Sequence, residues 1–179
     1  MMVSRRLVLA GACSIPLLAR AAATPAWIFS FPSLEGGTVD FAALRGRVLL
    51  VTNTASFCGF APQFTALEDL ARTRATDGLT VIGMPSNDFD QEADSNEKVK
   101  QLCELTYGVD FPMAGLSHVR GAAANAFYTW VREQRDWQPN WNFNKVLIGR
   151  NGQIAGLYRA FDEPDGRTIQ TAIKAALAA

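Results

Sequence analysis

The stretch from Val48 to Gln63 limits the fold more than any other part of the chain. Val48-Leu49-Leu50-Val51 is apolar and rich in β-branched residues, as suits a strand buried on both faces. Thr52-Asn53-Thr54-Ala55-Ser56-Phe57 then turns small and polar, and Cys58-Gly59-Phe60-Ala61-Pro62-Gln63 opens a helical pattern. A buried strand that hands over directly to a helix belongs to an α/β arrangement. The junction also places the thiol of Cys58 near a helix N-terminus, where unpaired N–H groups and the helix dipole favour the nucleophilic thiolate. A cysteine can also be simple core filling, since free cysteine is among the most buried residue types.

The rest of the chain fits around this junction. Trp27 to Phe31 and Thr38 to Phe41 read as two short strands about the Glu35-Gly36-Gly37 turn. Pro62 suits the first turn of a helix to about Arg74, with Phe64, Leu67, Leu70 and Ala71 at helical spacing. Asp77-Gly78 ends it, and Leu79 to Met84 is a second buried strand, which completes a right-handed βαβ unit. Ser95 caps a helix through Tyr107 that Gly108 ends, and Gly121 to Arg135 reads as a third helix. Lys145 to Arg150 and Gln153 to Ala160 form a hairpin about Asn151-Gly152, and Pro164 opens a last helix through Ala178. The order predicts an N-terminal β-hairpin and a central mixed sheet flanked by helices, compatible with a thioredoxin-like fold.

The 179 residues are 49% hydrophobic, enough for one domain with a full core. The 17 basic and 17 acidic residues balance, and no basic run or zinc-finger spacing points to nucleic acid. The single histidine, His118, argues against a His-rich metal centre and against Cys/His protease chemistry. Cysteines at 13, 58 and 103 include no C-x-x-C pair, so the two-thiol active site of a thioredoxin is absent.

Residues 1–23 read as an address and residues 24–179 as the domain. Ser4-Arg5-Arg6-Leu7-Val8-Leu9 is a twin-arginine pattern, followed by an apolar stretch too short for a bilayer and a small-residue cleavage site at Ala19-Arg20-Ala21 or Ala21-Ala22-Ala23. The reading implies export to the periplasm with no stable membrane association after cleavage. Cys13 leaves with the leader, as do Arg5, Arg6 and Arg20, so the mature chain carries 14 basic and 17 acidic residues, net −3. Two cysteines then remain, in an oxidising compartment.

Three ordered blocks resemble the glutathione peroxidase family: Asn53 to Gln63 around Cys58, Gly83-Met84-Pro85-Ser86-Asn87-Asp88-Phe89-Asp90-Gln91-Glu92, and Trp141-Asn142-Phe143-Asn144-Lys145-Val146-Leu147-Ile148. Tyr107-Gly108-Val109-Asp110-Phe111-Pro112-Met113 matches a further stretch, so the resemblance covers roughly residues 26–178. It implies reduction of hydrogen peroxide or organic hydroperoxides by a peroxidatic cysteine, Cys58, without metal or other cofactor. Gln91, Trp141 and Asn142 complete the implied catalytic tetrad. Each offers an N–H donor that stays neutral at working pH, suited to an anionic sulfur and a departing oxygen. Phe57, Phe60 and Phe143 are then expected to wall the pocket.

Each assignment has a plainer counterpart. Trp141 can be core, and Asn142 a turn residue ahead of a strand. The block holding Gln91 lacks the family's two glycines, its proline and one residue of length, which could re-aim that side chain. Cys103, 45 residues after Cys58 on the helix 95–107, stands where thiol-recycled members carry a resolving cysteine. It would condense with a sulfenic acid on Cys58 to give a disulfide, and the helix would have to unwind for the two sulfurs to meet. Its alternative is packing with Val99 and Leu102. His118 reads as a loop residue, and Lys145 as a sheet-edge lysine. The implied reductant is a thioredoxin-like protein or glutathione. The chain lacks the longer insertion of tetrameric members ahead of the third block, which implies a monomer. Two rival functions remain: a peroxide sensor relaying oxidation to a client thiol, and a non-catalytic thioredoxin-fold binding module.

Overall fold

The computed structural model describes residues 23–179, so the leader read over residues 1–23 lies, apart from Ala23, outside the described residues. The central sheet has the order β4-β3-β5-β6, from Leu79–Pro85 (β4), Val48–Thr54 (β3), Lys145–Ile148 (β5) and Ile154–Tyr158 (β6). β3 pairs parallel with β4 and antiparallel with β5, and β5 pairs antiparallel with β6. A separate hairpin, Ser30–Pro32 (β1) with Thr38–Asp40 (β2), precedes them. The helices are Gln63–Arg74 (α1), Asn96–Tyr107 (α2), Ala126–Arg135 (α3) and Arg167–Ala178 (α4). The thioredoxin-like α/β architecture expected from the sequence is present.

Every residue of β3 is buried because both faces of the sheet are covered. Val48 and Leu50 join Phe64 and Leu67 of α1, Val99 and Cys103 of α2, and Ile169 and Ile173 of α4 in one core. Leu49 and Val51 face the other way, toward Phe127 and Val131 of α3 and toward Trp27, Phe29 and Phe41. Alternate side chains of a strand point to opposite faces, so four consecutive apolar residues build two cores at once.

Several boundaries differ from the sequence reading. Ala26–Ile28 is a 3-10 turn and not a strand, and the first strand begins only at Ser30. α3 starts at Ala126, not Gly121. Gly121 takes φ +69 and Asn125 caps the helix by accepting the Tyr128 N–H, so the preceding five residues form the entry turn. The link between β5 and β6 is longer than a two-residue turn: Gly149 N donates to Gln153 O and Gly152 N to Gly149 O. Gly152, at φ +77, is required there on a second ground, because a Cβ would stand 2.6 Å from Trp27 Nε1. Ser95 accepts the Lys98 N–H and Gly108 takes φ +63, so both ends of α2 are as expected.

Candidate active site

Cys58 sits in the turn between β3 and α1, with its side chain 5% exposed. Its N–H donates to Ala55 O at 3.4 Å, and its carbonyl accepts the Ala61 N–H at 2.9 Å. The donor that reaches the sulfur is the Phe60 N–H, at 3.5 Å. α1 itself begins only at Gln63, with Pro62 as its cap, so the N–H that reaches the sulfur comes from the intervening turn and not from the helix's first turn. Two bonds fix the chain just before the cysteine. Ser56 N donates to Glu92 Oε1 at 3.1 Å and Phe57 N to Gln91 O at 3.0 Å.

The loop carrying Gln91 is therefore tied to the cysteine turn despite its missing glycines. Asp90 supplies the tight bend by taking φ +56, with its N–H bonded to Asn87 O. Aspartate visits that region more readily than most residues. The Gln91 Oε1 accepts Asn142 Nδ2 at 3.0 Å, so two of the expected donors are brought together and the Gln91 amide keeps its own N–H groups free. Asn142 is fully buried, as a turn residue need not be. Trp141 is 40% exposed and tilts against Phe89 at 5.3 Å, so it is a rim residue and not core. Phe57, at 62% exposed, also stands on the rim, and half-buried Phe60 packs edge-on against Phe161. Phe143 is fully buried, in the same core cluster as Cys58, so it floors the site.

Asn53 positions the third block, a role that sequence reasoning missed. Its Nδ2 donates to Trp141 O at 3.0 Å, its Oδ1 accepts Asn144 N at 3.0 Å, and its carbonyl accepts Phe143 N at 2.7 Å. A polar residue fully buried at the end of an apolar strand was the signal available in the sequence.

The family model for glutathione peroxidase matches residues 27–132, a span that holds Cys58, Gln91 and Cys103. The glutathione peroxidase of Lactococcus lactis is 37% identical over 142 residues, 76% of this chain and 90% of the relative. The glutathione peroxidase-like peroxiredoxin HYR1 of Saccharomyces cerevisiae is 34% identical over 148 residues, 78% of this chain and 91% of the relative. The crystal structure of Trgpx in apo form superposes with a TM-score of 0.69 at 30% identity, covering 87% of this chain and 97% of that one. The chain belongs to the glutathione peroxidase family. It is a thiol peroxidase, with a peroxide as its substrate and a thiol as its reductant. A thiol:disulfide interchange protein from Chlorobium tepidum, 21% identical with a TM-score of 0.65, shares the fold.

In this glutathione peroxidase family member the second thiol, Cys103, is 2% exposed on α2 and belongs to the same core cluster as Cys58; both are free. Burial, with the charge of Glu92 adding to it, pushes the Cys103 thiol up to about 12. It also borders a cavity of about 420 Å³ between the β1–β2 hairpin and α2, where Lys100 pairs with Glu35. Lys145 is not at a sheet edge. β5 lies between β3 and β6, and the fully buried Lys145 ammonium donates to Gln63 Oε1 and Asp162 O. Burial lowers its pKa to about 8. His118 is in a loop, as expected, with its Nδ1 2.5 Å from Asp88 Oδ1.

Proposed function

We propose that Cys58 is the peroxidatic thiol and that Gln91, Trp141 and Asn142 serve it. The thiolate attacks one peroxide oxygen, an S–O bond forms as the O–O bond breaks, and the departing oxygen leaves as water or an alcohol after taking a proton. Cys58 becomes a sulfenic acid. The reading rests above all on the Asn142–Gln91 hydrogen bond, because Gln91 also holds Phe57, the residue next to Cys58. The two donor-bearing side chains are thereby held together on a loop bonded to the cysteine's own turn, ahead of reaction.

Cys103 is the resolving cysteine in this account. It condenses with the sulfenic acid to a disulfide, with local opening of α2 to close the remaining distance, and a thioredoxin-like protein reduces the bond. The mature protein acts as a monomer in the periplasm, after export through the twin-arginine leader. Peptide mass spectrometry of peroxide-treated mature protein tests this cycle. A Cys58–Cys103 disulfide is expected. Cys58 found only as sulfenic acid or as a glutathione adduct, with Cys103 free, would replace it with a one-cysteine cycle in which glutathione is the donor.

A further inference from the structure

Glu92 follows Gln91 directly, yet the peroxide step leaves it without a task. Its side chain is 7% exposed. One carboxylate oxygen, Oε1, accepts both Ser56 N at 3.1 Å and Ala93 N at 2.8 Å. The other, Oε2, is buried with no hydrogen-bond partner in the protein, as is the Ser56 hydroxyl. That hydroxyl acts on two groups in the same sense, lowering the Glu92 carboxyl and the Cys103 thiol against the rise that burial causes. A buried carboxylate oxygen left unpartnered is costly, and such groups call for an explanation. Here it belongs to a carboxylate bonded to the turn of Cys58, whose charge also acts on Cys103 of α2.

We infer that Glu92 is the proton acceptor for Cys103 when that thiol attacks oxidised Cys58, with the Ser56 hydroxyl as the relay between them. This rests on the two-cysteine cycle proposed above. The Cys103 proton passes through the Ser56 hydroxyl to Glu92 while α2 is still in place, and local opening of the helix then brings the Cys103 sulfur onto Cys58. The Cys103 sulfur forms the S–S bond, the S–O bond of the sulfenic acid breaks, and the departing hydroxide takes the proton back from Glu92 to leave as water. Cys103 sulfur is oxidised, Cys58 sulfur is reduced, and Glu92 ends as it began.

The electrostatics agree with the geometry. A thiol pushed up to about 12 does not ionise unaided near neutral pH, so its attack needs a base. Burial raises the Glu92 carboxyl from its ordinary value, against the bonds from Ser56 and Ala93, which brings it nearer to a base's working range. From α2 the titratable groups on this side are Cys103 itself and Glu104, whose charge also acts on that thiol.

The test follows one turnover without reductant. Mature protein is mixed with one equivalent of hydrogen peroxide, and Cys58 sulfenic acid and the Cys58–Cys103 disulfide are quantified over time across mildly acidic to mildly alkaline pH. Glu92→Gln keeps an acceptor for Ser56 N and Ala93 N but takes no proton. It should slow disulfide formation relative to sulfenic acid formation by about 100-fold or more, as loss of a general base does. It should also remove the fall in that rate at acidic pH. Glu92→Asp, which keeps a proton acceptor, should recover part of the rate and its acid limb. Parent rate and pH profile in Glu92→Gln, or equal slowing in both variants, would overturn the inference. If the parent itself forms no disulfide, the two-cysteine cycle fails first and this step with it.

Discussion

The Phe143 N–H donates to the Asn53 carbonyl at 2.7 Å, and the bond holds a fully buried aromatic residue at φ +58. A bulky side chain rarely takes that conformation, and strain of this kind persists only where surrounding structure over-determines it. Asn53 supplies that constraint through its backbone on both sides and through its side chain to Trp141 and Asn144. The strained bend sets Asn142 inward and Trp141 on the rim. Asn53→Ala should therefore lower stability by about 1–3 kcal/mol, since the buried Asn144 N–H loses its acceptor while Trp141 O keeps its bond from Asn144 Nδ2. Urea unfolding measures it, and peroxide reduction should slow in the same variant. Parent stability in Asn53→Ala would show that the clamp is not needed.

Asn142 and Gln91 are expected to matter for rate more than for stability. Loss of one aimed donor should slow attack on peroxide by about 10- to 1000-fold. Rapid-mixing measurements on folded Asn142→Ala and Gln91→Ala provide the check. If either reacts with peroxide at the parent rate, that residue leaves the site.

The buried Lys145 makes a pH prediction. It gives up its proton at about 8 in the folded protein and near the ordinary 10.5 when unfolded. Between those values the unfolded chain binds more protons, so stability rises with pH. Below pH 8 the full penalty for charging the buried amine is present. The stability difference between the parent and Lys145→Met should shift in the parent's favour by about 3 kcal/mol across that interval. Denaturant midpoints of the two proteins over this range give the answer, and parallel profiles would contradict it.

Much of this was legible in the chain. The β3–α1 junction, the helix ends at Ser95 and Gly108 and the mixed character of the sheet followed from apolar runs, turn signals and cap residues, whose effects are local. The four tetrad candidates were legible as a set only through resemblance. What escaped depends on contacts between distant residues. Asn53 meets Trp141 across 88 positions, Lys145 meets Gln63 across 82, and Glu92 meets Ser56 across 36. Lys145 looked like an edge residue because a lysine in a strand is usually solvated, and its buried ammonium is instead met by Gln63 and Asp162 from elsewhere in the chain.

The proposed twin-arginine leader makes an independent prediction. Arg5→Lys combined with Arg6→Lys should strand the protein in the cytoplasm, because a receptor and not bulk charge reads the arginine pair. Fractionation of cells expressing the full chain measures it, and an unchanged periplasmic share would count against twin-arginine export.

Peroxide consumption by Cys58→Ser tests the central claim most directly. The change trades a thiol for a near-isosteric hydroxyl in a turn held by backbone bonds to Ala55 and Ala61, so the fold should stand. The hydroxyl stays un-ionised near neutral pH and is a weak nucleophile unaided. With a thiol reductant in excess, the folded variant should consume no peroxide above background while the parent turns over. Substantial turnover by folded Cys58→Ser would contradict the account.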